Sequence, residues 1–442
     1  MGPRVRSTAI CWNVWVVNLL LNLAALSSAT SGCPPQRHDA ITSQQARPSE
    51  TVPAKNPAIS AKPMTVPRSE YVSDSTCAQC HEDKFASYEQ TAHHFTSQLA
   101  NKDTIVGTFA AGSNTMTTAN PNLMFRMEEK SDEFFETAIW GAPETSPAAA
   151  SASSTVHEGA ARSRTERLDL VIGSGGKGQT YLYWRDDQLF QLPVGYSTLL
   201  HRWTYSPGYQ DGIADFARPI IPRCLECHAT YFQPAFPDPQ INIYDTKNFE
   251  LGISCARCHG PERKHIARYE SKNPAAMSDD IVNPARLSAA RQSDICAQCH
   301  AGQGERELMP AFSYVPGQPL EQYSYLGPTD SAQNVDVHGK QGMLLIKSHC
   351  YQSSQDLNCS TCHDVHKKEP GAEAMSQHCL ACHKMEQSAT HAKAGEAFTR
   401  RCVDCHMPLL ESKVIYLNVD GEKVHPKLRS HWIRIYSPDE LK

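Results

Sequence analysis

The sequence has no surplus of basic residues and few long apolar runs. Its 442 residues include 42 Lys and Arg against 47 Asp and Glu, a net charge of -5. This balance excludes a strongly basic nucleic-acid-binding protein. Beyond Leu26 no segment is apolar and long enough to span a membrane, which excludes a bundle of transmembrane helices. The hydrophobic fraction of 40% is nevertheless that of a folded protein, and the length predicts two to three domains.

The one long apolar stretch lies at the N-terminus and predicts export. Arg4 and Arg6 precede the mostly apolar residues 9–26, and small residues come next. Residues 1–33 are therefore interpreted as a signal peptide. Two alternatives stay open: a lipoprotein signal that ends at Cys33, or an uncleaved membrane anchor. All three place the rest of the chain in the periplasm or elsewhere outside the cytoplasm, and the last two attach it to a membrane.

Cysteine and histidine are unusually frequent, with 17 and 20 residues. The motif Cys-x-x-Cys-His occurs seven times, where this composition predicts about 0.03 copies by chance. Two cysteines three residues apart lie on one face of a helical turn, where they can form thioethers to the vinyl groups of one haem. The histidine that follows can then supply the proximal iron ligand. Zinc ribbons and thioredoxin-like redox motifs do not require that histidine in every copy.

The motifs therefore predict seven covalently attached haems c. The cysteines are Cys77, Cys80, Cys224, Cys227, Cys255, Cys258, Cys296, Cys299, Cys359, Cys362, Cys379, Cys382, Cys402 and Cys405. The proximal ligands are His81, His228, His259, His300, His363, His383 and His406. We number motifs and haems 1 to 7 in this order.

Further histidines are candidates for the distal ligand of each iron. His265 follows His259 by six residues and His366 follows His363 by three, so each is placed to reach a neighbouring haem rather than its own. The candidates are His93 or His94, His265, His338, His366, His391 and His431. They supply six ligands for seven irons, so one iron stays open or takes Met, Lys or water.

The motifs predict a mainly α fold with a haem-dominated core, because short helices carry the motifs and porphyrin replaces much of the apolar core. Residues 34–70, rich in Pro, Ser, Thr and Ala, are predicted to be a flexible linker before a multihaem domain at 71–442. Apolar segments between haems 1 and 2 predict a small β-rich insertion at about 104–200. Its strands are expected at 123–127, 133–137, 168–172, 180–184 and 188–192.

Two further turns are predicted from glycines. The segment from Gly173 to Gly178 fits G-x-G-x-x-G, but the β-like residues that follow favour a hairpin turn over a nucleotide site. After haem 7, Val414 to Leu417 and Glu422 to Val424 are predicted to form a hairpin that returns His431 toward the haems.

Several segments resemble the multihaem cytochrome c superfamily. It includes hydroxylamine oxidoreductase, the tetrahaem cytochrome that takes electrons from it, and pentahaem nitrite reductase. The similar segments are residues 77–94, 255–265, 283–300, 358–366 and 402–408, within a resemblance that spans roughly 71–436 and is strongest to exported heptahaem-type members. It implies a multihaem fold and distal ligands at the candidate histidines named above. No CxxCK motif occurs, so the chain lacks the lysine-ligated haem typical of the nitrite reductases.

Three functions are compatible with these features. The first is electron carriage through bis-histidine haems between donor and acceptor proteins, and it is favoured because the distal candidates nearly match the haems in number. The alternative is an oxidoreductase that acts on a small nitrogen or sulfur oxide at one open haem. The third is a subunit that docks to a larger respiratory complex. No catalytic residue is predicted, and no nucleic acid or nucleotide partner is expected.

Overall fold

The computed structural model describes residues 66–141, 162–236, 238–271, 280–301, 306–325, 335–384, 391–392, 400–419 and 421–441. These residues belong to one compact unit. The predicted signal peptide and nearly all of the predicted linker lie outside the described residues. Within the described ranges, no helix combines the length and the apolar character needed to cross a bilayer.

The helices are short, and six of the ten α-helices in the described residues contain at least part of a Cys-x-x-Cys-His motif. The α-helices are α1 (Asp74–Ala78), α2 (Glu82–Tyr88), α3 (Pro222–Glu226), α4 (Ala256–His259), α5 (Arg263–Glu270), α6 (Ala289–His300), α7 (Gln341–Leu345), α8 (His349–Gln352), α9 (Ala372–Leu380) and α10 (Cys402–His406). Single 3-10 turns lie at Arg68–Glu70, His94–Thr96, Pro284–Arg286, Leu320–Gln322, Cys359–Thr361 and Pro438–Leu441.

Strands dominate the first half of the described chain. They are β1 (Ser97–Leu99), β2 (Thr115–Thr117), β3 (Leu123–Lys130), β4 (Glu133–Trp140), β5 (Arg162–Arg167), β6 (Leu170–Ile172), β7 (Gly178–Arg185), β8 (Gln188–Gln191), β9 (Val194–Ser197), β10 (Arg202–Tyr205), β11 (Ala229–Pro234) and β12 (Tyr244–Leu251). Shorter pairs follow: β13 (Arg306–Glu307), β14 (Ser324–Tyr325), β15 (Leu409–Glu411), β16 (Leu417–Val419), β17 (Glu422–Val424) and β18 (Lys427–Arg429).

The prediction of a mainly α fold is wrong, because the described chain is rich in antiparallel sheet. The strand-rich region is also no small insertion, since it continues past residue 200 through β10 to β12. The physical reason is that haem attachment needs only one helical turn per motif. Seven motifs therefore specify little helix, and the alternating apolar residues between motifs 1 and 2 decide the architecture.

Two sheets share one apolar core. A six-stranded sheet has the order β1-β6-β7-β9-β10, with β8 beside β7, and a four-stranded sheet has the order β2-β3-β4-β5. Phe125 and Met127 of β3 and Tyr181 and Tyr183 of β7 lie in the same buried cluster. In β3, buried residues alternate with more exposed ones, as expected for a strand with one face on a core. Each of the five segments predicted to be strands between residues 123 and 192 overlaps an observed strand, namely β3, β4, β6, β7 or β8.

Both predicted hairpins are present. The loop that contains Gly173 and Gly175, both with positive φ, joins the antiparallel strands β6 and β7, so the turn is confirmed. Near the C-terminus β16 pairs with β17, although β16 begins only at Leu417. Asn418 in β16 donates a hydrogen bond to the Tyr209 carbonyl at 2.7 Å, which fastens this hairpin to the sheet region.

A second apolar cluster joins the sheets to motif 2. Leu225 of α3 packs with Leu170 and Leu182 of the six-stranded sheet and with Phe232 of β11. Ser97 of β1 also donates to the carbonyl of His228 at 2.7 Å. The sheet region therefore fixes the position of one haem motif directly.

The tight contact between Gly107 and Trp203 provides a stability test. A Cβ atom on Gly107 would lie 2.4 Å from the Trp203 ring, and this ring is 3% exposed and held by its Nε1, which donates to the Thr108 carbonyl at 2.8 Å. Gly107→Ala should therefore destabilise the fold by about 1–3 kcal/mol, because the ring cannot move away. Gly176→Ala is the control, since the nearest atom to a Cβ there is a serine oxygen at 3.7 Å. Equal thermal midpoints for the two variants would contradict this account.

Candidate haem-binding sites

Each motif begins on a single turn of helix. The histidine N–H donates to the carbonyl of the first cysteine in motifs 1, 3, 5 and 6, at 2.9 to 3.0 Å: His81 to Cys77, His259 to Cys255, His363 to Cys359 and His383 to Cys379. In motif 2 the turn is tighter, since His228 donates to Leu225 at 2.9 Å. Motif 4 ends α6, and motif 7 is α10. The turn brings both sulfurs and the imidazole of a motif to one side of the backbone.

Five motif histidines face a second histidine across a nearly constant gap. The ring centroids are 6.4 Å apart for His81 and His265, 6.1 Å for His259 and His366, 6.0 Å for His363 and His431, 6.2 Å for His300 and His93, and 5.8 Å for His406 and His391. Rings at this distance do not touch. A metal–imidazole nitrogen bond is about 2 Å long, and two such bonds in line require ring centroids about 6 Å apart. The paired imidazoles therefore fit an iron bound between them.

A sixth pair of histidines, His228 and His338, is indicated by their electrostatic interaction. Burial lowers the pKa of His228, and the nearby His338 lowers it further. His94, the alternative to His93, instead packs edge-on against Tyr88 and Phe95, at 5.4 and 5.0 Å between ring centroids. His383 of motif 6 is exposed and belongs to none of the facing histidine pairs among the described residues, although it is close enough to His406 to lower the pKa of that histidine.

Burial lowers the pKa of His300 as it does that of His228.

Hydrogen bonds made by the Nδ1 atoms orient several of the histidine rings. His259 donates to the Val282 carbonyl at 2.8 Å, His406 to the Arg434 carbonyl at 3.0 Å and His431 to the Arg429 carbonyl at 3.3 Å, and His363 Nδ1 lies 3.0 Å from the Glu369 carboxylate. Such bonds fix the tautomer in which Nε2 carries the free lone pair. Burial also lowers the pKa of His93 and His431 to about 4, which keeps these imidazoles neutral and able to bind metal.

Comparison with known proteins agrees with this geometry. Residues 211–260, which include motifs 2 and 3, match the family model described as cytochrome c554 and c-prime. The solved structure of an outer cell wall cytochrome, OcwA, superimposes with a TM-score of 0.51 at 16% sequence identity and covers 84% of this chain and 81% of its own. No curated protein matches the sequence. The chain therefore has a fold similar to that of an outer cell wall cytochrome, and a short part of it matches a cytochrome c family model. The family match supports covalently bound haem c.

The motifs lie near one another through their cysteines. Four pairs of thiols are close enough to shift each other's pKa, one upward and one downward in each pair: Cys77 and Cys255, Cys227 and Cys299, Cys296 and Cys359, and Cys379 and Cys402. Motif 4 thus contacts motifs 2 and 5, motif 1 contacts motif 3, and motif 6 contacts motif 7. Cys258 is near Cys296, and Cys362 is near Cys382, which connects these groups to one another.

The thiols needed for attachment are free at every motif cysteine but one. Cys405 is disulfide-bonded, whereas the other motif cysteines in the described chain are free.

Sequence reasoning missed a buried carboxyl beside motifs 1 and 3. Glu262 is 2% exposed, and its Oε2 accepts a hydrogen bond from the Val72 N–H at 3.4 Å. Its Oε1 has no partner among the described residues. Burial raises the pKa of Glu262 to about 8. The only indication in the sequence was the position of Glu262 in the segment 255–265, between His259 and His265.

Glu262 should make the free energy of unfolding of this protein depend on pH. The unfolded chain releases this proton near pH 4.3, whereas the folded chain holds it to about pH 8. Stability due to Glu262 therefore falls as pH rises between these values. Glu262→Gln should raise the thermal midpoint more at pH 8 than at pH 5. Glu89→Gln, at an exposed position, is the control, and an equal gain for Glu262→Gln at both pH values would count against a buried neutral carboxyl.

Proposed function

We propose that this cytochrome binds seven haems c and carries electrons between redox partners through irons ligated by two histidines. The observation that carries the proposal is the set of facing histidines, each pairing a motif histidine with a distal candidate. Bound haem supplies the one-electron chemistry. Two histidine ligands leave no position for a substrate, so they favour electron transfer over catalysis at those irons.

The distal ligands come from outside the motif that they serve. His265 follows motif 3 but faces motif 1, and His366 follows motif 5 but faces motif 3. His93 follows motif 1 but faces motif 4. Each pair therefore links two chain segments, so that loading one site also orders the next. The cysteine contacts between motifs support close haem neighbours, and short distances favour rapid electron transfer.

The partners and location follow from the same role. We infer an electron donor protein and an electron acceptor protein, both outside the cytoplasm. The predicted export signal supports a periplasmic or extracytoplasmic site, and OcwA, a protein of similar fold, is an outer cell wall cytochrome. Attachment to a membrane through a lipidated Cys33 or an uncleaved signal belongs to the same proposal as an alternative.

Removal of one distal histidine tests the ligand assignment. His366→Ala should convert one low-spin haem per chain to high spin, because the iron of motif 3 loses the ring that faces His259. Electron paramagnetic resonance gives the ratio of low-spin to high-spin iron, and a haem count on the same sample shows that attachment is intact. His349→Ala is the control, since His349 lies 3.4 Å from the Ser353 hydroxyl rather than opposite a motif histidine. Unchanged spin states in His366→Ala would refute this assignment.

One observation favours a second candidate function at motif 6. His383 and Cys382 are exposed, and His383 belongs to none of the five facing histidine pairs of the described residues. An iron held there by His383 alone would have a position free for a small ligand. The second candidate is therefore an oxidoreductase that reduces or oxidises a small nitrogen or sulfur oxide at haem 6 while the other haems supply or remove electrons.

Cyanide binding distinguishes the two functions. If haem 6 is open, the oxidised protein should bind about one cyanide per chain, with a matching loss of high-spin signal. His383→Ala should abolish or strongly alter that spectral change, while the neighbouring His378→Ala should leave it in place. A protein with seven low-spin irons that takes up no cyanide would remove the second candidate and leave electron carriage intact.

A further inference from the structure

We propose that a pocket between motifs 2 and 3 binds a small planar aromatic anion. The pocket has a volume of about 400 Å³. Its walls include Arg68, Arg257, Tyr71, Tyr231, Phe236 and Phe312. None of the motif cysteines or histidines of the described chain lines it, whereas Ala256 and Arg257, which stand between the cysteines of motif 3, do.

Arg257 gives the pocket an unmatched positive charge. This residue stands between the cysteines of motif 3 and is 6% exposed. One of its nitrogens donates to the Glu226 carbonyl at 3.0 Å, but its Nε has no hydrogen-bond partner, and no carboxylate forms an ion pair with it in the described part of the chain. A guanidinium cannot lose its proton, and a buried charge without a counter-ion is costly. An anionic ligand group would supply that counter-ion through paired hydrogen bonds.

Arg68 does not have this role. Its guanidinium is ion-paired with Glu250 and lies 4.9 Å from the centre of the Tyr231 ring. Arg68 therefore shapes a wall, and its charge is already balanced. The pocket is thus suited to one negative charge rather than two.

The remaining walls are aromatic, and one of them is held under backbone strain. Phe312 has φ +66°, a conformation that bulky residues seldom adopt. Its N–H donates to Glu226 Oε1 at 2.8 Å, and its ring lies 5.6 Å from the ring of Tyr231. A strained backbone conformation persists only where the surrounding structure holds it in place, and such residues are found most often at ligand sites. Phe236, also in the pocket wall, is 52% exposed although it is a large apolar side chain. Aromatic rings on which a ligand can stack, together with one cation, favour a flat aromatic anion as the ligand.

The pocket is tied to two haem attachment sites. Glu226 belongs to motif 2 and Arg257 to motif 3, and they meet through the hydrogen bond from Arg257. In the haem-loaded protein, which rests on the proposed function, a bound anion would stabilise the oxidised form of the adjacent haems. Their reduction potentials should therefore fall when the pocket is filled.

Calorimetric titration of the haem-loaded full chain with 2-naphthoate and with 2-naphthamide tests the pocket. The two probes have the same ring and similar size but differ in charge. Naphthoate should bind once per chain and at least about tenfold more tightly than naphthamide, because only naphthoate offers a carboxylate to Arg257. Arg257→Gln should remove this preference. Arg167→Gln, which alters a surface ion pair with Glu133 in the strand region, should leave naphthoate binding unchanged.

A second variant covers the case in which Arg257→Gln prevents haem attachment. Phe236→Ala, at an exposed position, should weaken binding of both probes severalfold without changing the haem content. Equal affinity for the two probes, no binding at all, or naphthoate binding that survives both variants would overturn the proposal. A haem count and spin-state measurement on the same samples separates failure of the pocket from failure of the haem assignment, since neither depends on the probe.

Discussion

The feature on which this structure depends is that histidines from distant parts of the chain face the histidines of five motifs. In the proposed holoprotein each motif would contribute two sulfurs and one nitrogen, and the second nitrogen would come from elsewhere in the chain. The apolar cluster nearest to motif 4 is small, built from Ile295, Tyr314, Leu320 and Tyr323. Segments with so little apolar core of their own need cross-links, and the facing histidines are placed to supply them.

The strand-rich region has the opposite character. Its core holds fully buried aromatic side chains such as Phe125 and Tyr181, so burial of apolar surface can hold it together without haem. It also reaches into the haem sites. The Ile253 N–H donates to the His93 carbonyl at 2.9 Å, and Ser97 in β1 is hydrogen-bonded to both Gly252 and His228. The sheets therefore act as the frame that orients a distal candidate and a proximal ligand together.

Features set by residues close together in the sequence could be predicted from it. Features set by contacts between distant residues could not. The motifs and the strands around Phe125 and Tyr181 are periodic within a few residues. The polar strand β12 and the short β11 carry no such pattern and were missed, which contributed to the wrong fold class. The adjacent His93 and His94 could not be separated by spacing, because the backbone turn before β1 decides which ring faces His300. The pocket at Arg257 depends on Phe312 meeting Glu226, 86 residues away in the chain.

The buried charges between the motifs bear on the direction of electron flow. Glu226 is ion-paired with Arg223, and at neutral pH Glu262 is mostly protonated because burial raises its pKa to about 8. Arg223 also lies 3.7 Å from Glu307, so the charges of Arg223 and Arg257 are matched in number by those of Glu226 and Glu307. At motif 5 the carboxylate of Glu369 lies beside His363 and makes that imidazole a stronger electron donor to a metal. In the proposed holoprotein this carboxylate would therefore favour the oxidised form of haem 5.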